Sequence, residues 1–399
     1  MRRAMLGLGL SRYLPTALRP HVIDAVTSAR RVLNDVLDAR DLAAKRKPAP
    51  RAFRGDRVAL LGFADAPSGL GRGVRLMHLQ MRNDGRESAL FDIAPALTRD
   101  RHGIRALNAA LTAFAPSDLI IHVNPPSFRD VVRRLPRALV LECGLIGFWA
   151  WELEWLPDAW RADAALCDEV WGPSAFVADA VRASLPNFSG AVRAATHAVD
   201  LAPVPAATPD TRQAARRRLG VEADAFVVGY AFTVASNFAR KNPLAAIEAF
   251  QRAFPERGGG ERLLLRCPDA DLYPRGQALL AACAALDPRI VLLDRDRAPM
   301  PEFYHALDVF LSLHRSEGYG LQIAEALQAG AAAVATQWSL SEEITARARF
   351  HGVDSTLVDI EDPQHVYVVV AGARWASPDI DQAAEILAEL RQSAASHPQ

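Results

Sequence analysis

The stretch LHRSEGYGLQIAEALQAGAAAVATQWS, residues 313–339, decides how the chain is read. An aliphatic strand closes near His314, a turn holding Glu317, Gly318 and Gly320 follows, and a helix then begins whose Ile323, Ala326 and Leu327 share one face. Strand, glycine turn and helix in that order leave unpaired backbone N–H groups and the positive end of a helix dipole at a strand's carboxyl edge, which is a site for a phosphate. Glu325 lies in the first turns of this helix. Helical side chains lean toward the N-terminus, so its carboxylate reaches a ligand docked there. Next to an anionic diphosphate, a carboxylate is useful as an acceptor for hydroxyls such as those of a ribose.

Outward from this stretch, short apolar runs alternate with amphipathic segments, the pattern of βαβ units and parallel sheets. RVALLGF, ESALFDI, SDLIIHV, ALVLECGLIGFW and DEVWGPS are strand candidates in the first half. FVVGYAF, ERLLLRC, RIVLLD, DVFLSLH and AAAVAT are those of the second. Between them, LAPVPAATPDTRQAARRR carries three prolines and an arginine run without a strand pattern, as a connection leading into a helix does. The expectation is α/β: two Rossmann-like domains facing across a cleft, with an N-terminal helical extension at 1–52, a first domain at 53–200, a linker at 201–222 and a second domain with a C-terminal helix at 223–399.

Composition narrows the function. Lysine plus arginine and aspartate plus glutamate both number 46, so the chain carries no net field to gather nucleic acid, and no nucleic-acid partner is expected. The four cysteines, Cys143, Cys167, Cys267 and Cys283, lack the close pairing of zinc or redox motifs and are expected to be reduced and buried. Reduced cysteines are those of a cytoplasmic protein, which is the expectation, and no apolar run approaches the roughly 18 residues of a membrane-spanning helix. Two readings stand for residues 1–50. In one, Val22, Val26, Leu33 and Leu37 pack a helix on the first domain. In the other, Met5, Leu6, Leu8 and Leu10, with Lys45, Arg46 and Lys47, make peripheral contact at the inner face of a membrane.

Further segments point toward the cleft. FTVASNFARKNPLAAIEAFQRAFP, residues 232–255, ends a strand in a loop that delivers Arg240 and Lys241 beside the place where leaving-group charge would need neutralising. FADAPSGLGRGVRL places Gly69, Gly71 and Gly73 between strand and helix, where backbone can approach a ligand. A dinucleotide fingerprint with Asp92 as ribose acid is the rival for that loop, but the spacing is G-x-G-x-G and too distant from Gly62. Residues 146–176 gather Trp149, Trp151, Trp155 and Trp160 before Trp171, aromatic planes beside carboxylates that suit sugar rings or, equally, a core. Asp269 with Asp271, and Asp294 with Asp296, mimic metal pairs, but that spacing is too common to carry a metal site.

Glu317 and Glu325, eight positions apart in EGYGLQIAEALQAG, resemble the E-x7-E signature of the group 1 (family 4) glycosyltransferases of GT-B fold. The resemblance covers roughly residues 57–390 and is strongest in the second half. It implies that Glu325 holds the donor's ribose within a donor site made with Gly318, Tyr319, Gly320 and Leu321. It also implies that Glu317 lies at the donor sugar, that Lys241 and Arg240 serve the diphosphate, and that Gly69, Leu70, Gly71, Trp151 and Glu152 line the acceptor side. Many members carry an arginine where this chain has Ser236, and Arg240 is expected to take over its duty. THAVDL, with Ala198 in place of a glycine, resembles the family's turn into the linker, where His197 either sets the hinge or is a plain structural histidine. WASPDIDQAAEIL resembles a branch's C-terminal segment, with the crossing of the last helix to the first domain left open.

The implied activity is metal-free, retaining transfer of a sugar from a nucleotide-diphosphate donor, with no further cofactor, to a glycan or lipid-linked acceptor in surface polysaccharide assembly. Ser236, QAGAAAVAT without the usual proline, and TQWSLSEEIT keep a second reading open, a non-catalytic nucleotide-sugar-binding relative within an assembly complex; a nucleotide-sugar epimerase on the same architecture is a third. An NAD dehydrogenase ranks last.

Overall fold

The computed structural model describes residues 40–396 except 41, 48, 294–297, 366, 368, 369 and 371. The residues proposed for an N-terminal helix or a membrane-facing leucine stretch, and Asp294 with Asp296, lie outside the described residues.

Two six-stranded parallel sheets organise the chain. The first is built from β1 (Arg57–Gly62), β2 (Glu87–Asp92), β3 (Asp118–His122), β4 (Gly144–Phe148), β5 (Glu169–Gly172) and β6 (Ala191–Ala194), in the order β2-β1-β3-β4-β5-β6. The second is built from β7 (Phe226–Ala231), β8 (Glu261–Arg266), β9 (Ile290–Leu293), β10 (Val309–Ser312), β11 (Ala332–Thr336) and β12 (Phe350–Val353), in the order β12-β11-β10-β7-β8-β9. Strands β3, β4, β7 and β11 are buried along their whole length, as parallel strands covered on both faces must be, and their sequences are correspondingly apolar apart from Asp118, His122 and Thr336 at strand ends and Tyr230. Strand order reverses between β1 and β3 in one sheet and between β7 and β10 in the other. Those reversals open crevices at the strands' carboxyl ends, where doubly wound sheets bind ligands.

The structure departs from the sequence reading where periodicity is ambiguous. ALVLE, read as the start of a strand, is helical over Arg137–Glu142, after Pro136 at its start, and the strand begins only at Gly144. A short apolar run does not by itself separate the two states. The edge strands β6 and β12 went unread: β6 (AVRA) is mostly exposed and β12 half-buried, so neither displays the apolar run that marks a central strand. Two antiparallel strands, β13 (Ser355–Asp359) and β14 (Arg374–Pro378), were likewise not anticipated.

The C-terminal helix, Ile380–Ser396, packs on the helix Pro243–Ala253 and on β11 and β12, within the second domain. What crosses to the first domain is the connection between β13 and β14, whose Tyr367 and Ala373 join that domain's core beside Ile360 and Val370.

The basic cluster at 45–47 is turned inward. The Lys45 ammonium donates to the carbonyls of Val132 (3.2 Å) and Arg133 (2.6 Å), the C-terminal end of the helix Ser127–Arg134, where a cation is favoured. Lys47 pairs with buried Asp168 and donates to the Cys143 carbonyl. Two of the three charges assigned to a membrane surface are therefore internal ties. Among the described residues no helix is long and apolar enough to cross a membrane. All four cysteines are free thiols; Cys143 and Cys167 are buried, whereas Cys267 and Cys283 are only half-buried.

Candidate active site

The site begins at the turn after β10. Gly320 has φ +103°, a conformation that side chains resist, and it opens the helix α1 (Leu321–Gln328) without a side-chain cap. The first N–H groups of α1 have no partner within the helix, so its positive end is not neutralised by a side-chain cap. Gly318 is required for a different reason. A Cβ there would stand 2.8 Å from the Trp151 carbonyl oxygen, because the first domain comes down directly on this turn. Ser174 Oγ donates to the Gly318 carbonyl at 2.6 Å, and Ser316 Oγ donates to that of Glu152. The Tyr319 hydroxyl donates to the His197 carbonyl at 2.9 Å, so this buried side chain ties the turn to the hinge rather than facing the cleft. His197 is correspondingly structural, its imidazole lowered to about 4 by burial and by Arg72.

Glu325 sits one turn into α1. Its Oε2 accepts the Tyr304 hydroxyl at 3.0 Å, and its Oε1 accepts Nε of Arg72 at 3.0 Å from the first domain. A carboxylate offers about four lone-pair positions, so two remain for ligand hydroxyls.

The structure brings Glu317, Lys241, Arg240 and Glu152 into one cluster. Lys241 ion-pairs with Glu317, whose own N–H donates to Ser339 Oγ at 2.8 Å. Arg240 lies 3.5 Å from the Glu317 carboxylate and 3.7 Å from that of Glu152. Burial by itself would raise the Glu317 carboxyl, but Lys241 and then Arg240 outweigh it and hold it at about 2. Burial raises the Glu152 carboxyl against the pull of Arg240, and the Tyr367 hydroxyl donates to it at 3.3 Å.

Two expectations need correction. Arg240 does not offer its charge to the cleft: it is 2 % exposed, its Nε and Nη2 donate to the Ser236 carbonyl (3.1 and 2.9 Å), and its Nη1 donates to that of Ser316 (2.6 Å). With its donors committed to two loops, it is a strut and not a replacement for an arginine at 236. Trp151 is not an open stacking platform either. Its indole is buried against Trp160 and Tyr367, and its Nε1 donates to the Trp155 carbonyl at 2.8 Å. Of the clustered tryptophans Trp155 stays exposed, whereas Trp149, Trp151, Trp160 and Trp171 are core.

The glycines of GLGRG lie inside a helix, Gly69–Asn83, capped by Ser68, whose side chain accepts the Gly71 N–H at 3.2 Å. At Gly69 an added Cβ would meet open space; at Gly71 it would stand 2.2 Å from the Ala66 carbonyl oxygen; at Gly73 it would fall 2.7 Å from His197 and 3.0 Å from His122. Leu70 is half-buried beside them. Gly73→Ala is therefore expected to destabilise the fold by about 1–3 kcal/mol, overpacking outweighing the helix-propensity gain of about 1 kcal/mol. Gly69→Ala should be neutral or better. Urea unfolding of both variants checks this, and a neutral Gly73→Ala would show that the two imidazoles yield.

Asp92 accepts the Ala94 N–H at 3.2 Å in a turn, and Asp269 accepts those of Val234 and Ala235 at 2.9 and 3.0 Å, steadying the loop after β7.

Residues 227–371 match the family described as Glycosyl transferases group 1. Over those residues, which make up most of its second domain, the chain is similar to that family. Its fold is GT-B: a glycosyltransferase from Rickettsia africae superposes with a TM-score of 0.57 at 11% identity, covering 85% of this chain and 89% of that one. HepE of Anabaena, solved with UDP and glucose, superposes with a TM-score of 0.57 at 14% identity, covering 85% and 90%. WaaG, a glycosyltransferase involved in lipopolysaccharide biosynthesis, superposes with a TM-score of 0.52 at 15% identity, covering 84% and 91%. No curated protein matches in sequence.

Within the second domain, sequence reasoning missed Tyr304, which lies in an unremarkable helix, and Tyr367, which lies in the connection between β13 and β14. It also missed Arg72 of the first domain, although that residue stands in the middle of the glycine motif it singled out.

Acid titration checks the charge cluster. Glu317 is lowered from 4.5 to about 2, so it contributes stability that is fully present above about pH 4.5 and lost as pH falls through about 2. The advantage of the unmodified protein over Glu317→Gln should shrink across that window. The change is on the order of 3 kcal/mol. A constant difference from pH 6 to 2 would show that Glu317 is not held ionised by its neighbours.

Proposed function

We propose that the chain is a retaining glycosyltransferase that moves a sugar from a nucleotide-diphosphate donor to a glycan or lipid-linked acceptor in surface polysaccharide assembly. One observation carries the donor half of this reading: the uncapped start of α1 at Gly320, with the Glu325 carboxylate one turn along it, pairs a seat for phosphate with an acceptor for ribose hydroxyls. The diphosphate lies at the N-terminus of α1, the ribose on Glu325, and the sugar between Glu317 and the first domain. Lys241, beside Glu317, stabilises the charge that develops on the leaving diphosphate. Glu152 and the exposed face of Gly69 lie on the acceptor side.

The helix terminus and Lys241 supply the positive charge that a metal clamp supplies in other transferases, so transfer proceeds at full rate in a chelator. Retention rests on the family resemblance, and the surface-polysaccharide role on that resemblance together with WaaG. The donor panel starts with UDP-sugars, given the HepE complex.

The test is incubation of the protein with a panel of nucleotide sugars and glycan or lipid-linked acceptors, with the product's anomeric configuration read by NMR. A product with the donor's configuration, formed in the presence of EDTA, is expected. Inversion would overturn the retaining assignment, and loss of all turnover in EDTA the metal-free one.

A further inference from the structure

The donor reading leaves the diphosphate short of positive charge. Lys241 and Arg240 face Glu317 and Glu152, so two cations meet two carboxylates, and Arg240 has already committed its donors to backbone carbonyls. The start of α1 contributes the equivalent of about half a charge. Arg72 is the cation placed to make up the difference. It lies in the first turn of the first-domain helix Gly69–Asn83, and its Nε is 3.0 Å from Glu325 Oε1 while its Nη2 donates to the Ala202 carbonyl at 2.6 Å.

Three features suit it to a change of partner. Its side chain is 26 % exposed, so it is not locked in a core. Gly69, three residues before it on the same helix, has open space where a side chain would stand. Glu325 stands four residues past the start of α1, about 6 Å along the helix axis, a span an arginine side chain covers by rotating about its own bonds. A guanidinium also matches phosphate oxygens in a planar, bidentate way that a buried lysine does not.

The geometry points to Arg72 as a ligand of the donor diphosphate, parked on Glu325 while the site holds no nucleotide; this rests on the donor-site reading above. When a donor brings its phosphates to the start of α1, Arg72 exchanges the carboxylate for a phosphate oxygen and leaves Glu325 to the ribose hydroxyls.

Titration calorimetry of UDP, ADP and GDP, each beside its nucleoside, against the unmodified protein, Arg72→Ala and Arg72→Lys tests this. Arg72→Ala should weaken the preferred diphosphate about tenfold and leave the nucleoside unchanged or bound more tightly, since its competitor for Glu325 is gone. Arg72→Lys, which keeps the charge but not the planar pair of donors, should fall between Arg72→Ala and the unmodified protein. A diphosphate bound as well by Arg72→Ala as by the unmodified protein overturns the proposal. So does an equal loss for the nucleoside, which would mark a general defect in the site. Failure of the unmodified protein to bind any of the three diphosphates is a different result: it removes the donor-site reading, and this proposal with it.

Discussion

Replacing Lys241 with alanine is expected to lower sugar transfer by about a hundred- to a thousandfold, the loss that follows removal of one preorganised group from developing charge. Lys241 lies at the end of a four-residue helix, Phe238–Lys241, and its carbonyl accepts the Tyr230 hydroxyl at 2.6 Å, so backbone and side chain are both held in place. Its loss also leaves the buried Glu317 carboxylate with Arg240 as its remaining ion-pair partner at 3.5 Å. Breaking a buried pair on one side destabilises by about 3–5 kcal/mol. A stability loss must therefore be separated from a catalytic one. Lys241→Ala combined with Glu317→Gln removes both charges, which should restore much of the stability but none of the turnover. Unchanged turnover in Lys241→Ala would remove its assigned role at the leaving group.

Glu325→Ala is expected to weaken donor binding about a hundredfold. Two hydrogen bonds from hydroxyls to a carboxylate contribute about 1.5 kcal/mol each, and about 1.4 kcal/mol corresponds to a factor of ten. The same substitution releases Arg72 and leaves the Tyr304 hydroxyl without its acceptor, so part of the loss reflects the site's own rearrangement. The control is a donor whose ribose lacks its 2′ and 3′ hydroxyls. Against it, the unmodified protein and Glu325→Ala should bind alike. A full hundredfold difference persisting with that analogue would mean that Glu325 acts on something other than the ribose.

Much of the architecture was readable because its signals are local. Continuous apolar runs such as FVVGYA and LIGF mark strands buried on both faces, and Gly318 with Gly320 before an apolar helical face marks the turn where α1 begins. The spacing of Glu317 and Glu325 pointed to the same turn. What could not be read depends on long-range partners. Nothing in FARKN says that Arg240 folds back onto Ser236 and Ser316 while Lys241, its immediate neighbour, meets Glu317. The contact between Arg72 and Glu325 joins residues of different domains, far apart in sequence, and neither segment alone announces it. For the same reason Lys45 and Lys47, which read as a surface cluster, are buried ties to Val132, Arg133, Cys143 and Asp168. Charge written along a sequence does not reveal which way each side chain turns.

The account as a whole is tested most directly by a crystal structure of the protein with the nucleoside diphosphate it binds best. The expected complex has phosphate oxygens within about 2.7–3.2 Å of the first backbone N–H groups of α1 and ribose hydroxyls donating to Glu325. A nucleotide seated away from the Gly320 turn, or one whose ribose faces away from Glu325, would contradict it.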